Sequence, residues 1–214
     1  MNRILLASCF AVIFSSCQKG TDSKAITESA QFFIENGGLS VVSTDAQSYE
    51  RPCLDPVNLK LTLLSRSGLG TSPALIDFIQ AHKLADVKRE ARPSGYEGVT
   101  ITPVAPYQSN WATKGEYGNF CFGTVKLLKA EAVSDAKPIT AGTSEPYVIP
   151  GTEARATRIT FLLDDIPEGP SGSFTTDLKA NESLLTRGSM RPEDYGKEFT
   201  VIGTIPTKVE NYKK

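Results

Sequence analysis

Four stretches of this chain alternate apolar and polar residues with a period of two. They cover residues 57–63, 121–127, 157–163 and 199–205. Because successive side chains of a β-strand point to opposite faces, this period predicts strands that are buried on one face. In the first stretch the apolar set includes Leu61 and Leu63, which we expect to face the core. Residues 99–104 are a weaker strand candidate.

One segment shows the spacing of an amphipathic helix. Ser72 is a good capping residue and Pro73 suits the first helical position. Leu75, Phe78, Ile79 and His82 then recur at helical intervals, and the face that they form is apolar except for His82. A shorter helical stretch is expected over residues 30–36, before a Gly-Gly pair. The predicted fold class is therefore α+β, a mostly antiparallel sheet with one clear helix.

The amino terminus reads as a targeting segment. Arg3 precedes an apolar run, Ile4 to Phe14, which falls well short of the about 20 residues needed to cross a bilayer. Two small residues, Ser15 and Ser16, lead directly into Cys17. This arrangement resembles the lipobox of bacterial lipoproteins, although Phe14 stands where Leu is commoner. The alternative is an ordinary secretory signal that happens to contain cysteines.

The resemblance implies a lipid-anchored envelope protein. Residues 1–16 would be removed as a signal peptide and Cys17 would carry the lipid, palmitate among its chains, which anchors stably when two or more chains are attached. Gln18, in place of an Asp, favours the outer membrane, with the protein facing the periplasm. The polar residues 17–29 are expected to form a flexible tether, and residues 30–214 a single α+β domain.

Charge and cysteine content narrow the function classes. Arg3 is the one charged residue of the predicted signal, and without it 22 basic residues stand against 24 acidic ones. This near balance argues against nucleic-acid binding, which normally requires a clustered basic excess. Cys53 and Cys121 remain as an even pair in an oxidising compartment, so we predict a disulfide between them. A metal or redox site is the alternative, and the sequence offers it few further ligands.

The central region resembles a loose set of uncharacterised bacterial envelope lipoproteins. These share a Leu-rich strand and helix, a Thr-Pro segment, an aromatic-Cys-aromatic-Gly strand and a strand that ends in Pro. The matching stretches here are Leu59–Leu84, residues 101–103, residues 120–123 and Arg158–Pro167. The resemblance supports the fold class and the location, and it implies no particular activity.

No residue set predicts catalysis, and we expect neither cofactor nor metal. His82 is the only histidine, so any catalytic triad would have to use it, and its place on a helix favours packing instead. Asp164 and Asp165 are adjacent, and adjacent strand residues point to opposite faces. Because Pro167 follows closely, we expect them to begin a turn rather than to converge on a metal.

An aromatic cluster provides the candidate binding surface. Tyr107, Trp111 and Tyr117 lie among glycines, and Pro106 and Gly115 suggest that Trp111 protrudes from a loop. Exposed aromatic residues are good anchors for recognition; the alternative is that the cluster packs over the disulfide. We therefore expect a non-enzymatic binding or accessory module, of which an immunity or inhibitor role is one version, with an envelope or secreted protein as partner. A hydrolase acting on cell-wall or lipid material is the alternative.

Overall fold

A computed structural model describes residues 15–42, 49–64, 71–92, 95–140 and 148–212, with the side chains of residues 15–22 and 41 excluded. The chain divides into two compact units. Unit 1 comprises residues 1–38, 127–160 and 200–214, and unit 2 comprises residues 39–126 and 161–199. Residues 1–14 of the predicted signal peptide and the side chain of Cys17 lie outside the described part, so signal cleavage and lipid attachment stay predictions.

Helices and antiparallel sheets alternate along the chain. The α-helices are α1 (Ser15–Glu35), α2 (Gly38–Val42), α3 (Pro73–Ala81) and α4 (Phe174–Ala180). The strands are β1 (Val57–Asn58), β2 (Thr62–Leu64), β3 (Ala85–Ala91), β4 (Glu97–Pro103), β5 (Trp111–Lys114), β6 (Tyr117–Phe120), β7 (Thr124–Ala132), β8 (Lys137–Pro138), β9 (Glu153–Asp164) and β10 (Phe199–Pro206). They form sheets of order β1-β6-β5, β2-β4-β3 and β10-β9-β7, with β8 paired to β9. The predicted α+β class is confirmed.

Unit 1 is organised around α1. The helix buries one face, on which the side chains recur at intervals of three and four residues: Ile26, Ala30, Phe33 and Ile34. Its middle is fixed at Ser29, whose hydroxyl donates to the carbonyl of Pro206 at 2.5 Å. The Tyr212 hydroxyl donates in turn to the carbonyl of Ser29 at 2.8 Å.

The amino-terminal region differs from the expected flexible tether. Residues 17–29 all belong to α1, and packing reaches back to Ile26. The polar composition of this segment concealed the spacing of Ile26, Ala30 and Phe33, which places all three on one helical face. No helix of the described residues is long and apolar enough to cross a membrane.

In unit 2, α3 packs near the sheet β2-β4-β3. The predicted helix is confirmed, because Ser72 precedes it, Pro73 opens it and His82 ends it. Its buried face consists of Leu75, Ile76, Phe78 and Ile79. Strand β4 lies between the other two strands of the sheet, and its Val99 and Ile101 are buried in the same core. The weaker strand candidate over residues 99–104 is thus also confirmed.

The first predicted strand is interrupted, and the orientation of its second half was predicted incorrectly. Leu61 and Leu63 are 41% and 50% exposed, whereas Thr62 is buried. The cause is a turn at Asn58, whose side-chain oxygen accepts from the amides of Lys60 and Leu61, each at 3.0 Å. This Asx-type turn separates β1 from β2 and reverses which residues point inward.

The third and fourth predicted strands are confirmed as β9 and β10. The inward positions of β9 are buried as expected, at Thr157, Ile159, Phe161 and Leu163. Asp164 is the last residue of β9, and Asp165, directly after it, adopts φ 55°, so the Asp pair marks the end of the strand, and the turn expected there stays a prediction. The second predicted strand is split, because Gly123 has φ 73° between β6 and β7. Phe122 is consequently buried although the alternation pointed it outward.

The predicted disulfide between Cys53 and Cys121 is confirmed. It joins two residues that pair as an isolated antiparallel bridge, across a sequence separation of 68 residues. On the chain-entropy model, closing such a loop stabilises the fold by about 4 kcal/mol. The Arg51 guanidinium adds hydrogen bonds between the same two chain segments, since it donates to the carbonyls of Cys121 and Phe122 at 2.9 and 3.2 Å.

Candidate functional site

A surface groove in unit 2 is the candidate functional site. Four segments line it: the end of α3, the start of β3, the stretch that follows β4, and Gly169–Pro170. Its apolar lining is Ala85, Val87, Val104, Ala105, Pro106, Tyr107 and Pro170, and its polar lining is Gln80, His82, Lys83 and Asp86. The groove therefore brings together two residues considered from the sequence, His82 and Tyr107.

Tyr107 is half-buried, with its ring packed against the core beneath the groove. Its ring meets Phe120 edge to face, with centroids 5.8 Å apart. Phe120 is fully buried in β6, next to the disulfide residue Cys121. A tyrosine supported in this way presents a rigid aromatic surface and loses little conformational entropy when a partner binds.

The expectation that Trp111 protrudes from a loop is wrong. Trp111 opens β5 and is only 7% exposed. Its indole N–H donates to the carbonyl of Leu84 at 2.9 Å, and its ring packs against Phe120 with centroids 5.6 Å apart. The hydrogen bond satisfies the one polar atom of the indole, so the whole side chain can enter the core. Trp111 thus supports the segment 82–85 that lines the groove.

Tyr117 lies at the surface but outside the groove. It is 56% exposed and sits on β6, opposite Lys114 of β5. The three aromatic candidates therefore separate: Tyr107 lines the groove, Trp111 is buried beneath it, and Tyr117 is exposed elsewhere on unit 2.

His82 forms a buried wall of the groove and is 3% exposed. Its ring lies between Phe78 and Phe174, with centroid distances of 4.3 and 5.2 Å. Its Nε2 is 3.2 Å from Oδ2 of Asp177. The same carboxylate oxygen accepts from the Ser173 hydroxyl at 2.6 Å, so Asp177 connects α3 to α4 and to the residue that precedes α4.

The other ring nitrogen of His82, Nδ1, is buried and has no hydrogen-bond partner among the residues that the structure describes. Gly169 closes over it so tightly that a Cβ on this residue would lie 2.6 Å from Nδ1. Gly169 also adopts φ 70°, a conformation that favours glycine. Only glycine therefore satisfies both the backbone and the contact at this position.

Burial lowers the pKa of His82, and the charge and hydrogen bond of Asp177 oppose this effect. The imidazole is thus held in its neutral form at neutral pH. Because a carboxylate can only accept, Nε2 carries the proton and Nδ1 presents a lone pair. This arrangement fixes the ring between two helices.

The hydrogen-bonded order is serine, aspartate, histidine, with the carboxylate in the middle. In a serine nucleophile system the imidazole must lie between the hydroxyl and the acid. Here Ser173 donates to Asp177, and Nδ1 of His82 faces Gly169. Within the described ranges no group of three or more His, Cys, Asp or Glu side chains is arranged to hold a metal ion. The geometry is that of a packed, oriented histidine.

Sequence reasoning missed Asp177 and Gly169, both far along the chain from His82. The signal that could have located Asp177 is the pair Phe174 and Leu178, whose spacing of four residues marks the buried face of α4. No local pattern connects either residue to α3. Comparison with models of known protein families, with curated proteins and with solved structures finds no match to this chain.

Replacing Asp177 by Asn should lower the pKa of His82 further, because the carboxylate charge that raises this pKa is lost while the amide oxygen can still accept from Nε2. In the wild-type protein, folding holds this pKa below its unfolded value. We therefore expect unfolding stability to decline as the pH falls below about 6.5. Since His82 is the only histidine, one ring resonance followed by NMR titration reports its pKa directly. Asp86→Asn, in the same groove, is the control and should leave it unchanged; a higher pKa in Asp177→Asn contradicts the assignment.

Gly169→Ala should destabilise unit 2 more than Gly172→Ala does. Both glycines have positive φ, 70° and 67°, so both substitutions introduce backbone strain of about 1 kcal/mol or more. Only Gly169 closes on His82; a Cβ at Gly172 meets nothing within 4 Å. Chemical denaturation measures the difference, and the His82 resonance should shift in Gly169→Ala alone. Equal losses of stability in the two variants would show that the contact contributes nothing.

Proposed function

We propose that this chain is a membrane-anchored envelope lipoprotein that acts as a non-enzymatic binding or accessory module, with an immunity or inhibitor role as one form. The observation that carries the proposal is the groove beside Tyr107. Its partner would be an envelope or secreted protein, one segment of which occupies the groove.

The chemistry of the groove supports recognition of a protein segment. Its walls are mainly aliphatic and proline side chains, with the ring of Tyr107, and its polar residues are Gln80, His82, Lys83 and Asp86. Protein interfaces likewise combine apolar and polar residues. Tyrosine is also among the residues that contribute most to binding free energy. Because buried rings support Tyr107, little reorganisation would accompany binding.

A hydrolase is the competing proposal, and it would have to depend on His82. The imidazole is oriented by Asp177, as a general base must be, but its lone pair on Nδ1 faces Gly169 instead of open groove. The nearest hydroxyl of the network, on Ser173, donates to the carboxylate. Both features favour a structural histidine and hence a binding module.

The membrane anchor is supported by the sequence Phe14-Ser15-Ser16-Cys17. Replacing Cys17 by Ala should yield an unprocessed precursor or a released, soluble product, because the acyl acceptor is gone. Mass spectrometry of the amino-terminal peptide, together with a high-salt wash of the membranes, measures both outcomes. A processed Cys17→Ala protein that stays in washed membranes like the wild type would disprove the anchor.

A photoreactive amino acid at Lys83, on the groove, should crosslink a partner protein in intact cells. Tyr107→Ala should reduce this crosslink at least about tenfold, which corresponds to about 1.4 kcal/mol or more of binding free energy. Tyr117→Ala should leave it unchanged. The same photoreactive residue at Lys114, which lies opposite Tyr117, tests whether the partner binds the exposed surface around Tyr117 instead of the groove.

Each variant is first checked for folding by circular dichroism and thermal unfolding. Crosslinks from position 114 that depend on Tyr117, with none from position 83, would move the binding surface away from the groove. A folded His82→Ala variant that loses a measurable hydrolytic activity, beside a normal Tyr107→Ala variant, would favour the enzyme.

A further inference from the structure

The lipid-bearing residue and the packed part of unit 1 belong to one continuous helix. Helix α1 runs from Ser15 to Glu35 without interruption and therefore contains Cys17. We infer that α1 is a rigid mount that holds unit 1 at a short, fixed distance from the lipid-bearing residue Cys17. The inference rests on the lipid attachment proposed above.

The carboxyl-terminal half of α1 is held firmly. Ala30 and Phe33 are fully buried, the Phe32 ring packs against Tyr212 with centroids 4.6 Å apart, and Ser29 is bonded to Pro206 and Tyr212. These contacts fix the direction of the helix axis within unit 1. A helix anchored in this way cannot rotate freely about the point where it leaves the core.

The turn that precedes the packed region is supported by local interactions. Lys24 and Glu28 form an ion pair of 3.7 Å at i, i+4, and the Thr27 hydroxyl donates to the carbonyl of Ser23 at 2.9 Å. Forming the first turn of a helix is unfavourable in free energy, whereas adding residues to an existing helix is much easier. The packed half supplies that start, so the helix extends toward Cys17 by propagation alone.

The geometry then sets the distance. Cys17 and Ile26, the first buried residue among the described side chains, are nine positions apart, which is about 14 Å along a helix axis but about 30 Å for an extended chain. Glu35, at the far end of α1, would lie no more than about 27 Å from the lipidated residue. The point at which α1 enters the packed part of unit 1 therefore stays close to the lipid headgroups.

Electron–electron double resonance on the lipidated protein tests this arrangement. A nitroxide is attached at Glu35→Cys, and the vesicles, of phosphatidylethanolamine and phosphatidylglycerol, contain a small fraction of lipid with a Gd³⁺-chelating headgroup. Because the labelled lipids are spread over the membrane plane, the height of the nitroxide above the headgroup layer is taken from the distance of closest approach. We expect a distribution of heights that does not exceed about 27 Å. Gly20→Ala, which favours helix, should preserve this limit.

Asp22→Pro is the matched disruption. Proline breaks the helix on its amino-terminal side, and the packed turns from Ile26 onward are retained. In this variant the distribution should broaden and extend toward about 45 Å. A wild-type distribution as broad as that of Asp22→Pro overturns the rigid mount.

Mass spectrometry of the same sample shows whether Cys17 carries lipid, which separates the two proposals. If it carries none, the anchor is wrong, and α1 is then judged by amide hydrogen exchange alone. The first four amides of a helix have no intrahelical partner, so residues 21–25 are the ones compared. Slow exchange there, comparable with that at 29–34, supports a continuous helix, and exchange at the rate of an unfolded chain overturns it.

Discussion

A continuous series of ring contacts determines the architecture of unit 2. Phe120 and Phe122 flank the disulfide residue Cys121 and are fully buried. Phe120 contacts Tyr107 on one side, and Phe122 contacts Phe174 edge to face at 5.0 Å on the other. Phe174 in turn packs against His82. One buried series therefore connects both walls of the groove, so that its shape depends on core packing and on the disulfide.

Two sequence predictions failed for local reasons that alternation cannot detect. The period of two identifies a strand, but a single side-chain-stabilised turn at Asn58 reverses the inward and outward positions beyond it, and Leu61 and Leu63 are exposed as a result. Glycine near Trp111 suggested a loop, whereas a hydrogen bond to the carbonyl of Leu84 allows the indole to be buried. By contrast, the predictions of α3, β9, β10 and the disulfide were correct. The helical period and the unbroken alternation depend only on residues that are close in sequence. The disulfide followed by elimination, since Cys53 and Cys121 were the only two cysteines left to pair.

The groove itself could be predicted only in part. His82 and Tyr107 attracted attention through residue type, but Asp177 and Gly169 come from segments remote in sequence, and tertiary packing alone brings them to α3. The same limit applied to α1. Its buried residues are separated by polar ones, and the face they share becomes evident only once Tyr212 and Pro206 are seen to cover it.

The state of His82 is the main support for the binding function proposed above. A general base needs a lone pair that a substrate can reach, and a fixed tautomer that the acid partner enforces. Asp177 supplies the second condition here, since it accepts from Nε2. Gly169 removes the first, because its close approach covers Nδ1. An imidazole that is oriented, neutral and covered stabilises the wall of a groove. In the binding function proposed above, the surface left for a partner would be the aromatic and proline side of that groove, where Tyr107 lies.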